Sequence, residues 1–138
     1  MEHLLYVGLG SNLGDRETLI EEAIELLDER VGQVERVSSI YETEPWGFQS
    51  ENSFLNAAAL IRTNLSPHRC LKEAQRIERL LGRTDKTVDG QYQDRPIDID
   101  LLLYDDLTIN TPDLVLPHPL IDQREFVRMP LDEIMAEQ

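Results

Sequence analysis

"RPIDIDLLLY", residues 95–104, is a strand with two unlike faces. Side chains two apart in a strand share a face. Ile97, Ile99, Leu101 and Leu103 form one phase and are expected to anchor the core. Asp98 and Asp100 open the other phase, and Leu102 continues it with an apolar side chain. The aspartate face is thus expected to be covered further along, with the two carboxylates lining a cleft. Held close, the carboxylates repel each other. A bound Mg²⁺ relieves that repulsion, since it is typically held by one or two carboxylates plus substrate phosphates. The same alternation also fits a half-exposed strand with ordinary polar residues outside.

Working outward, the chain reads as strand, helix, two strands, helix, two strands. His3–Gly10 is a strand running into a glycine-rich turn, Gly8-Leu9-Gly10-Ser11-Asn12. Asp15–Arg30 follows as a helix with Leu19, Ile20, Ala23, Ile24 and Leu27 on one face and Gly32 at its stop. Gln33–Thr43 is β-rich, and Pro45–Asn52 is a loop carrying Trp46-Gly47-Phe48. Ser53–Asn64 is a strand. Ser66 as N-cap and Pro67 at the first helical position open a helix to about Leu81, closed by Gly82. Arg83–Arg95 has no apolar period and contains Asp89-Gly90, so it is expected to be a long loop of the kind that covers binding sites. After Ile97–Tyr104, Asp105-Asp106 should turn the chain into a hairpin partner, Leu107–Asn110. A last helix is expected from Val127 or Leu131 to Met135. This order is the β-α-β-β-α-β plan: an α+β, ferredoxin-like α/β sandwich, with a mainly antiparallel sheet and helices packed on one face.

Composition bounds the function. A 138-residue chain with 41% hydrophobic and 29% charged residues suits one domain, residues 1–138. The net charge of −14 argues against a nucleic-acid surface, which needs a basic footprint. The single cysteine, Cys70, excludes an intrachain disulfide. The amino-terminal apolar run is too short to span or export, so no membrane partner and a cytoplasmic location are expected. Seven of the 13 Lys and Arg lie between Arg62 and Lys86, a locally basic stretch suited either to a solvated helix face or to a small anion.

Three further groups could carry chemistry. Glu78 falls inside the apolar arc of the second helix, with Cys70, Leu71, Ala74, Ile77 and Leu81, and Gln75 flanks it. A carboxylate there needs a partner, or the stripe faces a polar cleft. Phe54 and Asn56 share a strand phase, which offers a planar heterocycle stacking and edge hydrogen bonds. Arg83, Lys86, Arg95, His118, Arg124 and Arg128 are suited to phosphate oxygens. Gly8-x-Gly10 does not fit a dinucleotide fingerprint, and no P-loop occurs.

In their order, these groups resemble the 6-hydroxymethyl-7,8-dihydropterin pyrophosphokinase family, essentially end to end. The resemblance is carried by Gly10-Ser11-Asn12-Leu13-Gly14, Ser39-Ile40-Tyr41-Glu42-Thr43, Phe54-Leu55-Asn56-Ala57-Ala58 and Ile77-Glu78 with Gly82-Arg83. It continues through Arg95-Pro96-Ile97-Asp98-Ile99-Asp100-Leu101, Pro117-His118-Pro119, Arg124-Glu125-Phe126-Val127 and Pro130-Leu131. The resemblance implies transfer of pyrophosphate from ATP to the pterin hydroxymethyl oxygen, with release of AMP, in folate biosynthesis. It implies Asp98 and Asp100 as ligands of two Mg²⁺ ions, and Arg83 and Arg95 as catalytic cations beside them. It implies a pterin site of Phe54, Phe126 and Asn56, with Asp98 near the hydroxymethyl group and the backbone at Thr43, Pro45 and Trp46. ATP would meet Gln75, Glu78, Arg83, Lys86, Tyr92, Arg95, His118 and Arg124.

The chain departs from the family where many members have Arg-Trp-Gly-Pro-Arg. Here the stretch is Gln91-Tyr92-Gln93-Asp94-Arg95, with Tyr92 as the candidate closing aromatic. A trimmed carboxyl terminus and a monomer are also expected. Two other readings fit less of the sequence. A silent pterin- or nucleotide-binding module leaves Arg83, Arg95, Asp98 and Asp100 together unexplained. A Mg²⁺-dependent phosphoesterase leaves Phe54, Asn56 and Phe126 without a role.

Overall fold

The computed structural model describes residues 2–43, 53–82, 96–119 and 121–136, together with the strand pairing of 87–88 with 91–92. The chain runs β1 (His3–Ser11), α1 (Arg16–Arg30), β2 (Gly32–Val37), β3 (Tyr41–Thr43), β4 (Phe54–Thr63) and α2 (Pro67–Leu80). It continues with β5 (Thr87–Val88), β6 (Gln91–Tyr92), β7 (Asp98–Tyr104), β8 (Ile109–Asn110), β9 (Val115–Leu116), a 3-10 turn (Ile121–Gln123) and α3 (Glu125–Ala136). Both early helices start on the caps their sequences supply. Asp15 accepts from the Thr18 N–H, and Ser66 accepts from the Arg69 N–H ahead of Pro67. Each thereby satisfies an amide that a helix start leaves without a partner.

The main sheet has the order β2-β4-β1-β7, with β3 also paired to β4, and every pairing is antiparallel. This is the split β-α-β arrangement of the ferredoxin-like plan, because β4 lies between β1 and β2, the two strands that α1 connects. β4 explains how the layers assemble. Leu55 to Ile61 are all buried, with no alternation. A strand hidden on both faces needs cover on both. On one side Leu5, Val7, Leu9, Ala57, Ile61, Ile99 and Leu101 pack with α1 and α2 through Ile20, Ala23, Leu27, Cys70, Ala74 and Ile77. On the other, Tyr6, Ala58, Leu60 and Leu102 pack under Leu131 and Ile134 of α3. Helices therefore cover two faces rather than the one face expected.

Four local expectations are corrected. β1 runs through Gly8 and Gly10 instead of turning there. The region 33–43 is two strands; at the break, the Ser38 N–H bonds the Ala58 carbonyl (2.8 Å) and Ser38 Oγ accepts the Ala58 N–H (2.9 Å). Ile109–Asn110 pairs with Val115–Leu116 and not with β7. α3 begins at Glu125 and passes through Pro130, which is buried with Leu131 and Ile134. Proline inside a helix costs ~3 kcal/mol, which the packing of this apolar stripe must exceed.

A fifth difference lies within the opening strand. Tyr6 pairs with Leu103 but Val7 pairs with Leu101, so Leu102 is an extra, bulged residue. The bulge reverses the alternation. Leu103 consequently packs against the α3-side cluster, while Tyr104 joins Leu101 on the α1/α2 side.

Candidate active site

The strand registers bring three short segments together on the α3 face. Gly10 lies between Asn56 of β4 and Asp98 of β7; Gly8 lies between Ala58 and Asp100. Directly paired residues share a face, so Asn56, Gly10, Gly8, Asp98 and Asp100 line one surface. α3 packs over its far end, at Tyr6, Leu60 and Leu102. Asp98, Asp100 and Phe54 are half-buried. At Gly10 the middle strand carries no side chain, which leaves a trench two strand spacings, or ~10 Å, across; the Leu102 side chain lies beside Gly8 and closes its far end. A Cβ added at Gly10 would stand 3.2 Å from Asn56 Oδ1 and 3.6 Å from the Phe54 ring.

The β4 wall is held from several directions. Asn56 Nδ2 donates to Thr43 Oγ1 at 2.7 Å, which turns the amide oxygen toward the floor. Tyr41, paired with Asn56, donates its hydroxyl to Glu133 of α3 at 2.5 Å. Glu133 also accepts the Ser39 N–H at 2.8 Å. The Tyr41 hydroxyl, then the Ser39 N–H, hold the Glu133 carboxyl below its usual range, and the carboxylate in return raises the Tyr41 phenol. At the start of β4, Arg16 donates to the Ser53 carbonyl (3.0 Å) and hydroxyl (2.9 Å).

The β7 wall is fixed along its outer edge. Glu78 Oε2 accepts the Ile99 N–H at 2.8 Å, and the His118 N–H reaches the Leu102 carbonyl at 2.9 Å. β7 ends the sheet, so these two groups replace a neighbouring strand. Arg124 stacks over the Phe126 ring at 5.5 Å where α3 begins.

The site residues expected from sequence thus fall into groups. Thr43, Phe54, Asn56, Asp98 and Asp100 share the trench. Phe126 is half-buried at the start of α3, the helix over the same face. Glu78, His118 and Gln75 belong to α2 and the chain at the outer edge of β7, with Gln75 half-buried. Tyr92 lies in β6, paired with Thr87. Pro45, Trp46, Arg83, Lys86 and Arg95 lie outside the described residues. Of the basic stretch, Arg62 is occupied by Glu35 (2.7 Å) and Arg76 by Glu73 (3.3 Å), as on a solvated face. Sequence reading missed Gly8 and Gly10 as a floor. Their two-residue spacing in phase with Tyr6 was the available signal. It also missed the Tyr41–Glu133 tie, which joins residues far apart in sequence.

Comparison with known proteins narrows this picture. Residues 6–136 match the family model described as "7,8-dihydro-6-hydroxymethylpterin-pyrophosphokinase (HPPK)". A 2-amino-4-hydroxy-6-hydroxymethyldihydropteridine pyrophosphokinase of Porphyromonas gingivalis is 52% identical over 132 residues, which is 95% of this chain and 90% of that protein. The Bacillus subtilis protein of the same name is 43% identical over 135 residues, 97% of this chain and 79% of that one. Among solved structures, "Crystal Structure Analysis of the HPPK-DHPS in complex with substrates" superposes with a TM-score of 0.79 at 17% identity. That match covers 99% of this chain and 41% of the longer one, and it speaks to the fold alone.

Fold and relatives together define an ATP-dependent diphosphotransferase on an α+β scaffold. More narrowly, the chain belongs to the 7,8-dihydro-6-hydroxymethylpterin-pyrophosphokinase family. Its reaction moves pyrophosphate from ATP to the hydroxymethyl group of 6-hydroxymethyl-7,8-dihydropterin in folate biosynthesis.

Proposed function

We propose that the glycine-floored trench is where this transfer takes place. The pterin ring lies on Gly10, stacked by Phe54 and Phe126, with its edge read by Asn56 and the backbone at Thr43, Pro45 and Trp46. ATP approaches from the β7 side, held by Gln75, Arg83, Lys86, Tyr92, Arg95, His118 and Arg124. The observation that carries this reading is the register: Asn56, Gly10 and Asp98 stand abreast on three adjacent strands.

Asp98 and Asp100 fit Mg²⁺ by the chemistry of their donors. Both are hard carboxylates on one face of a strand, next to a floor that a polyphosphate can approach. Two carboxylates are enough for Mg²⁺, which takes one or two of them and completes its shell with water and phosphate oxygens. When bound, two such ions would neutralise the phosphates and clamp the attacking and leaving oxygens.

The chain's own work is positioning. Phe54 and Asn56 orient the ring so that the hydroxymethyl oxygen faces the β-phosphorus. A new O–Pβ bond forms as the hydroxymethyl O–H gives up its proton to solvent, the bond from Pβ to the oxygen it shares with Pα breaks, and that oxygen leaves with AMP. Arg83 and Arg95 offset charge on the moving group. We read the working unit as a single-domain monomer in the cytoplasm; among the described residues no helix is long and apolar enough to cross a membrane.

The test follows AMP after mixing the protein with MgATP and the pterin. AMP should form only when both pterin and Mg²⁺ are present. Asp98→Asn and Asp100→Asn should each lower the rate by at least ~100-fold, more than loss of a supporting contact costs. AMP formed without pterin, or an undiminished Asp100→Asn, would sink the assignment.

A further inference from the structure

Glu78 is buried, with 4% of its surface exposed. A carboxylate in such a place costs several kcal/mol unless it is hydrogen-bonded, whereas a leucine would fill the same apolar stripe without that penalty. What the carboxylate supplies is an acceptor for the Ile99 N–H, 2.8 Å away. Ile99 is the residue between Asp98 and Asp100. Its N–H belongs to the peptide plane that joins Asp98 to Ile99. Tilting that plane would swing the neighbouring side chains apart. On the inner side β1 holds this segment through Leu9 and Gly8; on the outer side, where the sheet ends, Glu78 takes the place of a strand.

We propose that Glu78 is a positioning residue for the Asp98–Asp100 pair: by binding the Ile99 N–H it sets the backbone pitch at which the two carboxylates converge on Mg²⁺. The proposal rests on the reading of that pair as metal ligands. Glu78 is also expected from the resemblance to contact ATP, and the KM for ATP separates that role from this one.

Three variants test it. Glu78→Leu fills the space without an acceptor, Glu78→Gln keeps an acceptor oxygen without charge, and Asp100→Asn is the control for the metal reading. Two main quantities are read, with the KM for ATP at saturating Mg²⁺ as the control: the Mg²⁺ concentration giving half-maximal AMP formation, and the hydrogen-exchange rate of the Ile99 amide by NMR in metal-free protein. In Glu78→Leu the Ile99 amide should exchange at least ~10-fold faster and the Mg²⁺ midpoint should rise ~10- to 100-fold, the range for losing a group that orients a ligand. The KM for ATP at saturating Mg²⁺ should stay as in wild type. Glu78→Gln should match wild type in both readouts, and it decides the matter if Glu78→Leu does not fold. An unmoved Mg²⁺ midpoint in Glu78→Leu overturns the proposal. So does a raised KM for ATP at saturating Mg²⁺ in either variant, which would mark Glu78 as a nucleotide contact. So does a raised midpoint in Glu78→Gln with the Ile99 amide still protected, which would mean that charge, not the bond, matters. If Asp100→Asn keeps the wild-type Mg²⁺ requirement, the metal reading has failed, and this inference with it.

Discussion

Asn56 gives an amide hydrogen to Thr43 Oγ1 over 2.7 Å, which leaves its carbonyl oxygen facing the bare backbone of Gly10. A side-chain amide can present either end to a ligand; here the Thr43 hydroxyl chooses the acceptor end. Thr43→Val keeps the shape and removes the hydroxyl. The pterin KM should rise about tenfold, equivalent to ~1.4 kcal/mol of lost hydrogen bonding, with the KM for ATP unchanged. Steady-state kinetics with each substrate varied in turn checks this.

Three glycines separate a floor from a fold. A Cβ at Gly10 would press on Asn56 Oδ1 at 3.2 Å, so Gly10→Ala should weaken pterin binding ~10-fold while leaving the strand intact, since alanine suits a strand better than glycine by ~0.5–1 kcal/mol. At Gly8 the nearest atoms to the added carbon are those of the Leu102 side chain, 3.5 Å away, an ordinary contact, so Gly8→Ala should match wild type in stability and pterin binding. At Gly32 it would fall 2.1 Å from the Arg62 carbonyl oxygen. Backbone cannot yield as a side chain does, so Gly32→Ala should lose at least ~2 kcal/mol of stability. Pterin titration and urea unfolding on the three variants give the pattern.

The Tyr41–Glu133 tie should be felt at both ends of the pH range. Glu133 is held below its ordinary 4.5, so its contribution is present above that value and is lost as pH falls through the lower, folded value. Tyr41 is raised above its ordinary 10.0, so its contribution is present below 10.0 and is lost as pH climbs through the folded value. The difference in urea midpoint between wild type and Tyr41→Phe should therefore be constant across neutral pH and shrink in acid and in strong alkali. A difference that does not change with pH would show that the bond adds nothing.

Cys70 should be silent to thiol reagents. It is 1% exposed, and burial pushes its thiol up to about 11, only partly opposed by Thr63. Almost no thiolate exists at neutral pH in the folded protein. Labelling by a thiol reagent should proceed no faster than unfolding, and denaturant should release it at the unfolding midpoint.

Much of this was readable in the chain because it depends on neighbours in sequence. Ser66-Pro67 starts α2 where a cap and an N1 proline must start a helix. Asp98 and Asp100 share a face because strand geometry puts residues two apart together. Glu78 was legible as an anomaly, a carboxylate in an apolar arc, and the structure gives it the Ile99 N–H as a partner. Leu103 was misread because the bulge at Leu102 exists only in the pairing with β1. Likewise, α3 passes through Pro130 because the sheet rewards burial of Pro130, Leu131 and Ile134 there.

By itself, then, the sequence determined most of the elements, their order and the residue types proposed to meet phosphate, metal and ring. Local periods, caps and charge repulsion act over a few residues and can be read without a fold. The tertiary structure decided what stands abreast. That Gly10 lies between Asn56 and Asp98, and that Glu78 closes the edge beside them, follows from β1 taking the centre of the sheet and β7 its rim. Those are outcomes of long-range burial, and no local pattern encodes them.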